Sequence, residues 1–288
     1  MTNIWGIQGV DYNLIMTKIK FTKMQATGND FVVMEAKRNR DWNVLATAMC
    51  DRRLGVGADG IILVMPSRKA DIRMRMFNPD GSEAEACGNG TRCLARYAIG
   101  RGLVDGKEIT IETLGGSRKA RQLDDMIQVD MGEPIFKAGL IPVKLNRDAV
   151  IDHPLAIGGR RLKLTCLSMG NPHAVAFIDE AIEKFPLETI GPKVENHPFF
   201  PKRVNFEIAN VMGKGRIRAR VWERGAGETL SCGSGACAIA VAARLHRFCG
   251  KKTNVALPGG TLTIDWDGKS QVKLTGPAEE VFTGTWPG

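Results

Sequence analysis

Alternation of apolar and polar residues dominates the chain. The stretches "IQVDMG", "LKLTCLSMG", "RIRARVWERG" and "TLTIDWDG" carry the period of strands with one face buried. "KIKFTKMQATGNDFVVMEA" reads as a strand, a turn and a second strand. Glycine and proline turns separate these runs. Few stretches follow the helical period. The clearest are "TRCLARYAIGRG" and "GACAIAVAARLHR". The second is small and apolar almost all the way round, which predicts a helix buried on every side. These elements predict a mixed α/β fold of the α+β type.

The two helices share an entrance. "EAEACGNGTRC" spans 83–93 and "GETLSCGSGAC" spans 227–237. In each, a glutamate (Glu83, Glu228) stands four residues before a cysteine (Cys87, Cys232). Each cysteine is followed by Gly-polar-Gly: Gly88-Asn89-Gly90 and Gly233-Ser234-Gly235. The motifs lie about half a chain apart, and self-similarity of this kind signals duplication. The expected architecture is two pseudo-symmetric lobes, each a mostly antiparallel sheet wrapped around a central helix. An N-terminal lobe is expected over 17–133 and a C-terminal lobe over 134–276, with 277–288 returning to the first. Residues 1–16 show no clear period and are read as an extension outside the fold, with Met16 as a second candidate start.

Composition adds limits. With 288 residues, 43% hydrophobic and 25% charged, the chain reads as a soluble globular protein with a proper core. The net charge is +9, spread along the chain. Its densest run, Ser117-Arg118-Lys119-Ala120-Arg121, reads as a solvated face. No aromatic residues interleave with it as a stacking platform would require, so no nucleic-acid partner is expected. No secretory signal and no apolar stretch of membrane-spanning length are evident. Together with an odd count of seven cysteines, this predicts free thiols in a reducing cytoplasm and no membrane partner.

The chemistry follows from the repeated motif. A helix N-terminus offers free amides and partial positive charge. It binds carboxylates and lowers a cysteine pKa toward the thiolate. Two such ends face to face would cradle an α-carboxylate with one sulfur on each side of the neighbouring carbon. A thiolate taking the α-proton while the opposite thiol returns one is stereo-inversion, and it needs no cofactor. Other readings compete. A cysteine capping a helix is structural in many proteins. The pairs Cys87/Cys93 and Cys232/Cys237 lie beyond, and at the limit of, the usual zinc spacing, so no metal is expected. A Cys–His hydrolase with His173 of "GNPH" as base leaves the second motif idle. Neither glycine run ends in Gly-Lys-Ser/Thr, so there is no P-loop.

Further motifs sharpen this. "ATGNDF" (26–31), "RLGVGADG" (53–60), "FNPDGSEAEACGNGTRC" (77–93), "SMGNPH" (168–173), "RVNFE" (203–207), "WERGAGETLSCGSGACA" (222–238) and "LPGGTLTIDW" (257–266) resemble the diaminopimelate epimerase family, in order, from about Met16 to the C-terminus. The paired cysteine motifs alone also admit other cofactor-independent racemases, whereas "NPDGSE" and "WERGAGET" point to the epimerases. The resemblance implies a homodimeric, pyridoxal-independent, two-base isomerase that interconverts LL- and meso-diaminopimelate on the route to lysine and peptidoglycan. Carried over by position, Cys87 and Cys232 are the catalytic pair, donor and acceptor respectively for the LL substrate. Gly88-Asn89 and Gly233-Ser234 supply the amides for the reacting carboxylate. Asn29, Asn78, Asn171 and Asn205 match substrate-binding asparagines, and Arg224 holds the distal carboxylate. Glu223 matches both a substrate contact and, with His173, a position that tunes the thiols. Phe282 matches an aromatic dimer contact; an ordinary core Phe is its plainer reading. Glu83 and Glu228 are read as structural. Two departures accompany the match: Ala26 stands where many relatives have Gly, implying a stiffer loop, and Gly60 where some have a Gln near the ligand, which puts one substrate contact in question. The alternatives are another racemase of the superfamily, a silent or hydrolytic relative, and a metal-binding module built on the cysteines.

Overall fold

The structure is a computed structural model describing residues 18–36, 40–85 and 87–287; the segment 1–16, read above as an extension, lies outside them. The first lobe opens with β1 (Ile19–Ala26) and β2 (Asn29–Glu35), the predicted strand–turn–strand. Then come α1 (Trp42–Cys50), β3 (Gly60–Met65), β4 (Ile72–Phe77) and β5 (Glu83–Ala84). α2 (Gly88–Gly100) leads into β6 (Glu108–Thr113), β7 (Gly116–Leu123) and β8 (Met126–Asp130). The second lobe starts with β9 (Val150–Ile157), β10 (Arg160–Ser168) and β11 (Pro172–Phe177). α3 (Leu187–Glu195), β12 (Asn205–Gly213), β13 (Arg216–Glu223) and β14 (Gly227–Thr229) follow. α4 (Gly233–Leu245), β15 (Lys252–Leu257), β16 (Gly260–Asp265) and β17 (Lys273–Pro277) complete it, and β18 (Glu279–Trp286) ends the described chain.

Strand pairing repeats from lobe to lobe. β18, β1 and β2 are antiparallel, β2–β3 parallel, β3–β4 antiparallel, β4–β6 parallel, and β6–β7–β8 antiparallel. β9, β10, β11, β12, β13, β15, β16 and β17 run through the same series. The series meet where β8 pairs antiparallel with β17, Ile127 opposite Gly276. β18 thus stands in the first lobe where β9 stands in the second.

Each sheet curls around its helix. Cys93, Leu94, Ala95 and Ala98 of α2 are buried among Ile62, Val64, Ile111 and Val129. α4 is buried from Ala236 through Ala243, against Leu262, Ile264 and Leu274. Each such Leu or Ile stabilises the fold by about 1.5–3 kcal/mol through removal of apolar surface from water. The all-round apolar pattern of α4 has its cause here: from Ala236 through Ala243 the helix has no solvent face.

Two helices carry no clear signal in the sequence. α1 is nine residues long, with Asp41 Oδ1 accepting from Val44 N at 3.2 Å as its cap. α3 holds Pro192 in its interior and starts without a side-chain cap. Its Gly191 is packed so closely on Trp222 that an added Cβ would lie 2.5 Å from Cδ2. Packing, rather than local propensity, holds such a segment helical.

Candidate active site

The local structure of each motif follows from its spacing. Cys87 and Cys232 are N-caps with extended backbone (φ −117°, ψ 152° and φ −120°, ψ 114°). Each sulfur takes the place of a capping oxygen: Cys87 Sγ accepts from Gly90 N at 3.1 Å and Cys232 Sγ from Gly235 N at 3.4 Å. The second glycine of each motif is a matter of room. A Cβ on Gly90 would stand 3.3 Å from Cys87 Sγ, and one on Gly235 3.3 Å from Cys232 Sγ and 3.1 Å from Glu207 Oε1. The first glycines let the helix ends abut: a Cβ on Gly233 would lie 3.6 Å from Gly88 Cα.

Both sulfurs line one cavity of about 220 Å³ between the lobes. This is below the roughly 300–1,000 Å³ of drug-sized sites and suits a molecule of amino-acid size. Gly88, Asn89, Gly233, Ser234, Asn29, Asn171 and Glu223 share the lining. Asn29 is engaged on both sides, donating to Asp59 Oδ2 at 2.6 Å and accepting from Asn89 Nδ2 at 3.2 Å. Asn89 Oδ1 is buried without a partner, which leaves an acceptor for a ligand N–H. Asn171 turns its oxygen to His173 Nε2 at 2.9 Å and so keeps its NH₂ for the cavity. Glu223 Oε1 accepts from Thr229 Oγ1 at 2.5 Å.

Asn78, Asn205, Arg224 and His173 lie off this lining. Asn78 sits in a turn and donates to Ser82 Oγ at 3.0 Å. Asn205 is buried; its Oδ1 accepts from Arg224 N at 2.8 Å and its Nδ2 donates to Pro172 O. Arg224 is exposed, with Nη1 donating to Lys202 O at 3.1 Å. His173 is fully buried, its Nδ1 2.6 Å from Glu207 Oε1. Phe282 is 46% exposed on β18, edge-on to Phe21 with centroids 6.0 Å apart. Ala26 is fully buried at the end of β1. At Gly60 a Cβ would lie 2.7 Å from Phe77 O, so β3 and β4 packing itself demands glycine there.

Sequence reasoning passed over several groups here. Arg118 lines the cavity with Glu85, Met131 and Ser231. The basic run 117–121 is divided by strand alternation on β7: Arg118 and Ala120 turn inward while Lys119 and Arg121 stay exposed. That period of two was legible. Buried Glu207 and Arg92 announce themselves by no spacing.

The expected lowering of the thiols does not hold. Burial pushes Cys87 up, and its amide donors at Gly90 and Asn89 and the charge of Arg92 offset only part of this, with Glu223 adding to it. Cys232 is pushed up further by burial and by the carboxylates of Glu223 and Glu207, with Ser234 and the Gly235 amide opposing. Desolvation of the charged form outweighs the helix end. Burial also raises Glu207, with His173 pulling it back.

The sequence profile described as diaminopimelate epimerase matches residues 21–137 and again 165–281, one lobe each. A diaminopimelate epimerase of Moorella thermoacetica is 47% identical over 276 residues, covering 93% of this chain and 99% of its own. That of Acetivibrio thermocellus is 45% identical over 278 residues, covering 92% and 98%. Among solved structures, a hydroxyproline epimerase from Agrobacterium vitis superposes with a TM-score of 0.66 at 15% identity over 93% of this chain and 92% of its own. A Bacillus anthracis protein of the phenazine biosynthesis PhzF family gives 0.65 at 19% identity, covering 93% and 99%. These two share the fold. By sequence, along nearly its whole described length and in both lobes, the chain belongs to the diaminopimelate epimerase family of isomerases.

Proposed function

We propose that this enzyme interconverts LL- and meso-diaminopimelate by passing protons through Cys87 and Cys232, with no cofactor. The observation that carries this reading is the pair of cysteine-capped helix ends abutting in one cavity. The amides of Gly88, Asn89, Gly233 and Ser234 hold the reacting carboxylate, which stabilises charge as it develops on the α-carbon. For the LL substrate the Cys232 thiolate takes the α-proton. The C–H bond breaks, an S–H bond forms, and the electron pair delocalises into the carboxylate. The Cys87 thiol delivers its proton to the opposite face, leaving a thiolate there. One thiol and one thiolate precede and follow each turnover, and the reverse reaction swaps their roles.

Asn29, Asn171, Asn78 and Glu223 read the amino-acid groups of the ligand. Asn205 fixes the backbone of Arg224, whose side chain swings onto the distal carboxylate. His173 with Glu207 orients Asn171 and sets the charge beside Cys232. The protein works as a cytoplasmic homodimer in lysine and peptidoglycan precursor synthesis. The dimer contact is β18, an edge strand bearing exposed Val281 and Phe282. Its counterpart β9 carries Asp152 and Pro154, which discourage edge pairing.

Incubation with LL-diaminopimelate and chiral analysis of the product tests the reading. Accumulation of the meso isomer, with lysine left untouched for want of a distal carboxylate, is the expected result. Unchanged LL substrate, or comparable turnover of lysine, contradicts it.

A further inference from the structure

Arg92, on the second turn of α2, is 0% exposed. Its Nε donates to Pro277 O at 3.1 Å and its Nη2 to Thr27 Oγ1 at 3.2 Å, while Nη1 is buried with no partner. Burial lowers its pKa from the usual value to about 10, and among the described residues no carboxylate contributes to holding its charge. A buried guanidinium without an acid beside it is strongly unfavourable, so something at this junction requires it.

The hydrogen bonds show what it connects. Thr27 donates to Ala26 O at 2.7 Å and lies 2.7 Å from Ser231 Oγ. Its oxygen therefore accepts from both Arg92 and Ser231. Ser231 is the residue before Cys232, and its carbonyl accepts from Asn89 Nδ2 at 3.2 Å. Thr27 itself is held at φ 52°, a strained value for a β-branched residue that persists where surroundings over-determine it. The relay Arg92–Thr27–Ser231 thus runs from the helix capped by Cys87 to the strap that carries Cys232.

We propose that Arg92 is a positioning residue for the second sulfur: through Thr27 it holds Ser231 and the Cys232 backbone in register with α2. Asn89 Nδ2, 3.2 Å from the Ser231 carbonyl, ties the same strap to the helix capped by Cys87. A lysine would keep the charge but lose the two-armed fork to Thr27 and Pro277. The kinetic part of the test rests on the two-thiol reading above; the alkylation part does not.

Two readouts test the relay. The first is the rate of Cys232 alkylation by iodoacetamide, followed by peptide mass spectrometry in a Cys87→Ala background. The second is steady-state epimerisation with both cysteines intact. Thr27→Val, which keeps the charge and cuts the relay, should change the Cys232 alkylation rate at least about threefold and lower kcat about tenfold, with KM within about threefold. Arg92→Lys should do the same, because it cannot hold the fork. A folded Thr27→Val with unaltered alkylation and kcat overturns the proposal, as does full kcat in Arg92→Lys. Should the wild type fail to epimerise diaminopimelate, alkylation alone decides: a changed rate in Thr27→Val supports the positioning role, and an unchanged rate rejects it.

Discussion

The N-termini of α2 and α4 share a sequence motif, a backbone and a cavity, but not a charge environment. Cys87 has Met76 Sδ at 3.9 Å; after burial, Glu223 opposes its thiolate and Arg92 favours it. Cys232 has Ser234 Oγ at 3.5 Å and two carboxylates, Glu223 and Glu207. Duplication kept what geometry requires: the extended N-cap, the glycine at the third helical position and the abutting first glycines. It did not keep the surroundings equal. The difference favours the thiolate on Cys87 over the one on Cys232. A symmetric frame therefore holds two thiols of unequal acidity.

The largest effect should come from removing either sulfur. Cys87→Ala and Cys232→Ala should each cut inversion by roughly 10²–10⁴-fold, the range for one positioned acid or base. Loss confined to one of them would mean the ends are not partners. Cys50, Cys166 and Cys249 cap no helix in the structure, and their alanine variants should keep most activity in the same chiral assay.

The second glycines should then separate the two ends. At Gly90 the nearest atoms to a new Cβ, Ile62 Cδ1 and Met76 Sδ at 3.2 Å, are flexible tips. At Gly235 the nearest is Glu207 Oε1 at 3.1 Å, held by His173. Gly235→Ala should lose roughly tenfold or more in kcat/KM, about 1.4 kcal/mol, and Gly90→Ala less. The reverse order would place the tighter constraint at the wrong end.

The pH profile follows from the thiol shifts. Both are raised, so at low pH both sulfurs are protonated and no base exists. As pH rises toward the lower pKa, one thiolate forms, and kcat/KM should climb about tenfold per unit. Once the second thiol ionises the acid is lost and the rate falls. The bell should lie on the alkaline side of neutrality; a rate that declines between pH 7 and pH 9 would contradict the balance of burial over helix-end stabilisation.

The smallest effect on activity concerns the outer strands. Phe282→Glu at the proposed β18 contact should lower the light-scattering mass toward that of one chain, whereas Ile151→Glu on β9, 49% exposed at the equivalent edge, should not. Equal effects would remove the distinction between the edges.

How much of this could be read from sequence depended on scale. The strands alternate, and α2 and α4 declare themselves by apolar composition, so the two-lobed fold was legible from "TRCLARYAIGRG" and "GACAIAVAARLHR". α1 and α3 were not: one is short, and the other contains Pro192 and is held by tertiary packing on Trp222. The sulfurs and their glycines were legible because local backbone chemistry dictates their spacing. Arg118 was obscured by its basic neighbours, although strand period separates it from them. Arg92 and Ser231 act across the lobe junction, with partners from Pro277 and Asn89, and Glu207 meets His173 from the neighbouring strand; no one-dimensional pattern records such pairings. The helix-end argument for lowered thiols failed for a related reason, since the depth of burial that outweighs it belongs to the folded chain.

In the proposed mechanism two sulfurs serve opposite faces of one carbon. Epimerisation of LL-diaminopimelate in heavy water, stopped early and resolved into its isomers, is the decisive experiment. The delivering thiol has exchanged with solvent before each cycle, so the meso product should carry deuterium at the inverted centre while recovered LL substrate stays largely unlabelled. Deuterium in the recovered substrate at the level of the product, or unlabelled product from internal return of the same proton, would contradict the account.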